Sequence, residues 1–130
     1  MQRTISIKLL TNLEQSNALT QLQRKFNEVC NKIVPYAAIN RCWNRVDLHH
    51  LSYHNIRVNK DLGSQMVCNA IKVVVDAYKV LKIKADAEVP LINFKLTSSV
   101  HFDKRTYSLK GESVSLYTLS GRILVPLQLG

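Results

Sequence analysis

Metal-assisted cleavage of a phosphodiester needs several carboxylates converging on one ion. The nine acidic residues, Glu14, Glu28, Asp47, Asp61, Asp76, Asp86, Glu88, Asp103 and Glu112, are instead scattered singly among basic neighbours. No apolar strand carries one beside a second, so their pattern reads as surface charge balance and predicts no catalytic site. His50 and His54 stand at i, i+4, which places two imidazoles on one helical face, with His49 and Cys42 nearby. Zinc is usually held by four ligands and no second close pair exists. These histidines therefore read as polar contacts at a surface, with neither metal nor cofactor. Cys30, Cys42 and Cys68 are odd in number and contain no C-x-x-C pair, which fits reduced thiols. Cys30 and Cys68 fall on apolar helical faces and read as small core side chains.

The residues that can do chemistry in numbers are cations. Eighteen Lys and Arg face nine Asp and Glu among 130 residues, a formal net charge of +9. A surface so positive attracts polyanions and speeds encounter with them, and nucleic acid is the expected class of partner. Arg24, Lys25, Lys32, Arg41 and Arg45 follow one another along a helical stretch with no acidic residue between Lys32 and Arg45. They suit a phosphate-tracking ridge; an ordinary solvated face is the alternative. Lys72, Lys79 and Lys82 form a second set on the last helix, interrupted by Asp76, for which phosphate contact and an ordinary solvated face are equally open. Lys104, Arg105, Tyr107 and Arg122 punctuate strand-like sequence, where basic and aromatic side chains suit RNA backbone and base stacking. The competing reading for Tyr107 is a place in the core.

Elements must position these groups. Arg3 to Leu10 alternates apolar and polar residues with the period of a strand. Thr11 and Glu14 have the spacing of a capping box, and Leu19, Leu22, Phe26, Val29, Cys30 and Ile33 then mark a helix with one buried face. Pro35 is expected to kink or end it, with a resumption over Tyr36 to Asn44. Val46 to Val58 reads as a short helix and a loop ending near Lys60. Leu62 to Lys82 reads as a long apolar-striped helix capped by Ser64 and packed on the first. After a polar connector, Leu91–Leu96, Val100–Lys104, Thr106–Leu109, Val114–Leu119 and Arg122–Leu127 read as strands, with turns at Gly111 and Gly121 and Pro126 at an edge or strand end. A lone opening strand needs sheet partners, so it is expected to join the C-terminal strands with the helical block inserted. No apolar run approaches the roughly 20 residues of a membrane span, and a secretory signal core is absent. A soluble, cytoplasmic protein is expected.

Taken in order, Leu13-Glu14-Gln15, Leu51-Ser52-Tyr53, Gly63-Ser64-Gln65 with Asn69-Ala70-Ile71, Ala77-Tyr78-Lys79, Val89 to Lys95, Phe102 to Tyr107 and Gly121 to Pro126 resemble the N-terminal part of TnpB (OrfB-type) transposon proteins, RNA-guided nucleases related to single-effector CRISPR enzymes. The resemblance implies an α+β fold: a small wedge-like β-barrel or sheet over residues 1–10 and 89–130, interrupted by a helical recognition lobe over 11–88. It also implies that both lobes hold a structured guide RNA. The helical lobe would touch duplex DNA through Tyr53, Ser64, Gln65 and Asn69. Cys68 stands where relatives often carry Gln. Cleavage in that family belongs to a later RuvC-type domain that this chain is expected to lack, so the chain is not expected to be an enzyme, though a separate nuclease-bearing chain can be a partner. Two other readings remain open: a stand-alone DNA-binding regulator, or the remnant of a truncated transposase gene.

Overall fold

The computed structural model describes residues 9–58 and 61–128. Among them the chain is α+β, with helices α1 (Leu13–Asn40), α2 (Arg45–Arg57) and α3 (Ser64–Leu81) preceding strands β1 (Tyr107–Lys110), β2 (Ser113–Thr118) and β3 (Gly121–Pro126). The expected opening strand lies mostly outside the described residues, as do Lys60 and the last two residues of the chain. Its described end, Leu9 and Leu10, lies where the topology argument puts it. Leu9 forms an antiparallel bridge with Leu127, and Leu10 N donates to Pro126 O at 2.9 Å.

The helices follow their apolar stripes, with three corrections at their ends. The capping box of α1 is Asn12 with Gln15, one residue beyond Thr11 and Glu14. Asn12 Oδ1 accepts from Gln15 N at 2.7 Å, and Gln15 Oε1 accepts from Asn12 N at 3.2 Å. Asn is at least as good an N-cap as Thr, and the shift frees Gln15 Nε2 to donate to Leu124 O of β3. Pro35 neither ends nor interrupts the helix. A helix loses one backbone bond at an internal proline, a cost of about 3 kcal/mol. Here Ile33, Val34, Ala37 and Ala38 are buried on both sides of an exposed Pro35, and their packing outweighs that cost. Lastly, Ser64 does not cap α3. The N-cap is Gly63, whose N–H donates to the Tyr117 hydroxyl at 2.9 Å. A Cβ on Gly63 would lie 2.9 Å from that same oxygen and 3.2 Å from the ring, so a larger residue would force the Tyr117 side chain to shift.

α1 packs against α3, and α2 contacts both. Leu22, Phe26, Ile33, Leu48, Met66, Ile71 and Tyr78 form the centre of one core. The segment expected to hold strands at Leu91–Leu96 and Val100–Lys104 has none. It is irregular chain with a turn at 96–98, held against α1 by side chains that meet its backbone groups. Asn31 accepts from Phe94 N at 2.7 Å and donates to Phe94 O at 2.9 Å. Asn27 donates to Ser98 O and Gln23 to Thr97 O, both at 2.8 Å. Gln23, Asn27 and Asn31 recur at i, i+4 on one helical face, and this polar ladder replaces the neighbouring strand.

The three strands make an open antiparallel sheet in the order β1-β2-β3, not a closed barrel. Gly111 (φ 61°) lies in the first hairpin turn, and Gly121 (φ 114°) opens β3 straight after the second, at Leu119-Ser120, both in conformations that glycine adopts without a Cβ penalty. Pro126 closes β3, as its missing donor requires. Val114, Leu116 and Val125 form a small second core with Leu19 of α1 and Phe102, and Phe102 also packs on the helical core.

Candidate nucleic-acid interface

The N-terminal half of α2, the first half of α3 and the segment 101–105 meet around a cleft of about 660 Å³. α2 presents Arg45, Val46, His49 and His50 to it. α3 presents Gln65, Cys68, Asn69, Ile71 and Lys72, and the third wall is His101, Asp103, Lys104 and Arg105. Four cations thus line one concavity against a single lining carboxylate. Asn44 starts α2 by accepting from Val46 N and Asp47 N, which turns the chain so that Arg45 faces this opening.

Asp103 organises the third wall. Its carboxylate accepts from Gln65 Nε2 at 2.7 Å, Thr106 Oγ1 at 2.9 Å, Arg105 N at 3.3 Å and Asn69 Nδ2 at 3.4 Å. Burial pushes the Asp103 carboxyl up, but the hydrogen bonds from Thr106, Asn69 and the Arg105 amide, with the Arg105 charge, outweigh it and hold the group below its ordinary value. Gln65 Oε1 in turn accepts from Arg105 Nη1 at 2.8 Å, so both ends of that amide are engaged. Asn69 is buried, donates to His101 O at 3.2 Å and accepts from Gln65 Nε2 at 3.3 Å. These two amides hold the wall of the cleft in place.

Six of the fifteen residues singled out in the sequence therefore come together here: Arg45, Gln65, Asn69, Lys72, Lys104 and Arg105. The others do not. Lys25 is ion-paired with Glu28 at 3.1 Å and Asp61 at 3.7 Å, while Arg24 and Lys32 are exposed on α1. Arg41 is a clamp: it ends α1 in the left-handed conformation, donates to Ala87 O and Lys84 O at 2.8 Å each, and lies over Trp43. Ser64 is exposed in the first turn of α3, and Lys79 in its last turn. Tyr53 stacks on His49 with centroids 4.4 Å apart. Tyr107 and Arg122 lie on opposite faces of the sheet, because Tyr107 pairs with Leu116 and Arg122 with Tyr117. Arg122 reaches across its face to Ser115 Oγ at 2.9 Å and Arg105 O at 3.2 Å.

Asp103 and His101 are the site residues that sequence reasoning passed over. The signal for Asp103 was its spacing to Arg105 and Thr106, the pattern of an aspartate that folds a turn onto its own side chain. Cys68, expected in the core, is half-buried and faces the cleft, with His49 Nδ1 3.9 Å from its sulfur. Burial pushes its thiol up despite the nearby charges of Arg105 and Arg45. Cys30 is the true core thiol, pushed up to about 12 by burial. His50 and His54 are both exposed, and no group of three or more His, Cys, Asp or Glu among the described residues is placed to hold a metal ion. Among the described residues no helix is long and apolar enough to cross a membrane. No protein-family model, curated protein or solved structure matches the chain.

Proposed function

We propose that this chain is a nucleic-acid-binding module of the TnpB/OrfB type, holding structured RNA on its basic surface and contacting target duplex DNA, with no cleavage site of its own. In this reading residues 11–88 act as a helical recognition lobe and residues 1–10 with 89–130 as the wedge-like lobe. A nuclease would be supplied by a further domain or a separate chain. The order of sequence motifs supports the family. The single observation that carries binding is the convergence of Arg45, Lys72, Lys104 and Arg105 from three separate segments on one cleft. Cations placed for solubility alone have no reason to converge across 60 residues of sequence. Arg24 and Lys32 are further exposed cations, on α1.

The test is to purify the chain from its host after mild crosslinking and sequence the RNA that accompanies it. One dominant structured transcript, encoded beside the gene and crosslinked to peptides spanning 45–50, 65–72 and 101–105, is the expected result. The joint variant R45Q/K72Q/K104Q/R105Q should lose that RNA, and its salt dependence of binding should fall by roughly 0.7 in logarithmic slope per phosphate contact removed. Heterogeneous RNA, or binding indifferent to the four substitutions, would sink the proposal.

A further inference from the structure

We infer that the cleft between α2, α3 and the 101–105 segment receives one unstacked nucleotide of a single strand, its phosphate among the cations and its base among the imidazoles. This rests on the nucleic-acid reading above and names which part of the ligand this site takes.

Shape is the first argument. Base pairs in a duplex are read by something convex, a helix or ribbon entering a groove about 12 Å wide. The residues gathered here line a concavity of about 660 Å³, within the roughly 300–1,000 Å³ typical of pockets for small molecules. Concave sites of that size suit a base splayed out of its stack, the usual mode of single-strand recognition.

Charge is the second. Among the described residues Arg45 and Lys104 make no ion pair, and Lys72 is paired only with Asp76, at 2.6 Å. Asp103 is the one lining carboxylate, and its oxygens are already taken by Gln65, Thr106, Asn69 and the Arg105 amide. The site therefore has positive charge to spare for one phosphate group.

Planarity is the third. His49 is fixed by stacking on Tyr53 at 4.4 Å with an interplanar angle of 17°, and His50 and His101 also line the opening. Imidazoles offer a base both a flat face and hydrogen-bonding nitrogens. The amides that usually read base edges, Gln65 and Asn69, are committed to Asp103, Arg105 and His101 O. Recognition that leans on stacking tolerates any base, so the preference among the four bases should be small.

Cys68 faces the cleft and reports on it directly. The full chain is alkylated with iodoacetamide at a pH alkaline enough to form thiolate at Cys68, whose thiol burial pushes up. Uridine 5′-monophosphate, adenosine 5′-monophosphate, uridine or inorganic phosphate is added in turn, and the label at each cysteine is counted by mass spectrometry. Cys42, which lies outside the cleft, is the internal reference. Both monophosphates should protect Cys68 and leave Cys42 unchanged. Phosphate alone should need at least about fivefold higher concentration, the size of one stacking contact, and uridine, which keeps the base and loses the phosphate contact, should also need more. Shifts of the His49, His50 and His101 ring protons in the same titration provide a second readout. Val46→Trp, at an exposed rim position, should fill the cleft and abolish protection in folded protein. Protection by phosphate equal to that by the nucleotides, or none by either with silent imidazoles, overturns the inference. If host RNA still binds and crosslinks to the basic surface, the nucleic-acid reading stands without it; if RNA binding is absent too, both fall.

Discussion

Phe26 and Val125 are both fully buried, yet their neighbours differ in kind. Phe26 belongs to a core whose buried residues, Leu62 apart, all come from α1, α2 and α3, with Ile92, Phe94, Val100 and Phe102 of the following segment packed against it. Val125 shares a core of three buried residues whose walls are borrowed: Leu9, Leu19, Phe102 and Leu127 all come from outside the strands. A two-stranded hairpin is marginal alone, and a third strand with an apolar face or packing on a helix is what makes a small sheet stable. Most of the buried apolar side chains lie in the helical part. The sheet is held in place by joints: Gln15 to Leu124, Gly63 to Tyr117, and the Asp103 network. One wall of the cleft belongs to that last joint, so the cleft sits on the seam between the two regions.

Phe26→Ala tests the stronger side. It should cost about 3–5 kcal/mol in urea unfolding, the usual range for an aromatic removed from a core, and it should lower far-UV helix signal and near-UV signal together. A loss below about 1 kcal/mol would mean that the helical core is not what holds the chain.

Asp103 tests the seam. Removing its carboxylate by Asp103→Ala leaves Asn69, buried at 3% exposure, without one acceptor, and should cost about 1.5–3 kcal/mol as a hydrogen-bonded charged group does. Its sign with pH is fixed. The folded-state value lies below the unfolded one, so this stabilisation is complete above the unfolded value of about 3.9 and disappears as pH falls through the lower folded value. Stability curves of wild type and Asp103→Asn should converge on acidification. Parallel curves from pH 7 down to acid unfolding would remove Asp103 from this role.

Val125→Ala should cost about 1.5 kcal/mol, two methyl groups' worth. The effect should be local, with faster amide exchange in β2 and β3 and unchanged protection in α1 and α3. Equal acceleration in the helices would show one cooperative unit rather than two unequal regions. The smallest effect is expected from Tyr117→Phe, about 1 kcal/mol for the lost acceptor of the Gly63 amide. Gly63→Ala should exceed it, because the new Cβ meets the ring as well.

The same division explains what could be read in advance. The helices were legible because their apolar residues repeat at helical spacing over three or more turns, a signal that survives even Pro35. The hairpins were legible because glycines at positive φ punctuate alternating residues. Leu91–Leu96 misled for a physical reason. Alternation reports an extended chain with one face covered, and that chain can be satisfied by Gln23, Asn27 and Asn31 as well as by a neighbouring strand. For the site, residue types were legible and their partners were not. Arg41 and Arg45 look alike in the sequence, but one guanidinium ties down the 84–87 turn and the other is left facing a cleft.

By itself, then, the sequence determined the helices and hairpins, the excess of positive charge and the absence of paired carboxylates along the chain, because each depends on residues near one another in sequence or on composition alone. Which cations are free and which are spent, that Gln65 and Asn69 brace Asp103, and that three distant segments enclose one cleft were decided only in the folded chain. Those outcomes rest on hydrogen bonds between residues more than 30 positions apart, and no local pattern encodes which of several chemically equal partners will be within reach.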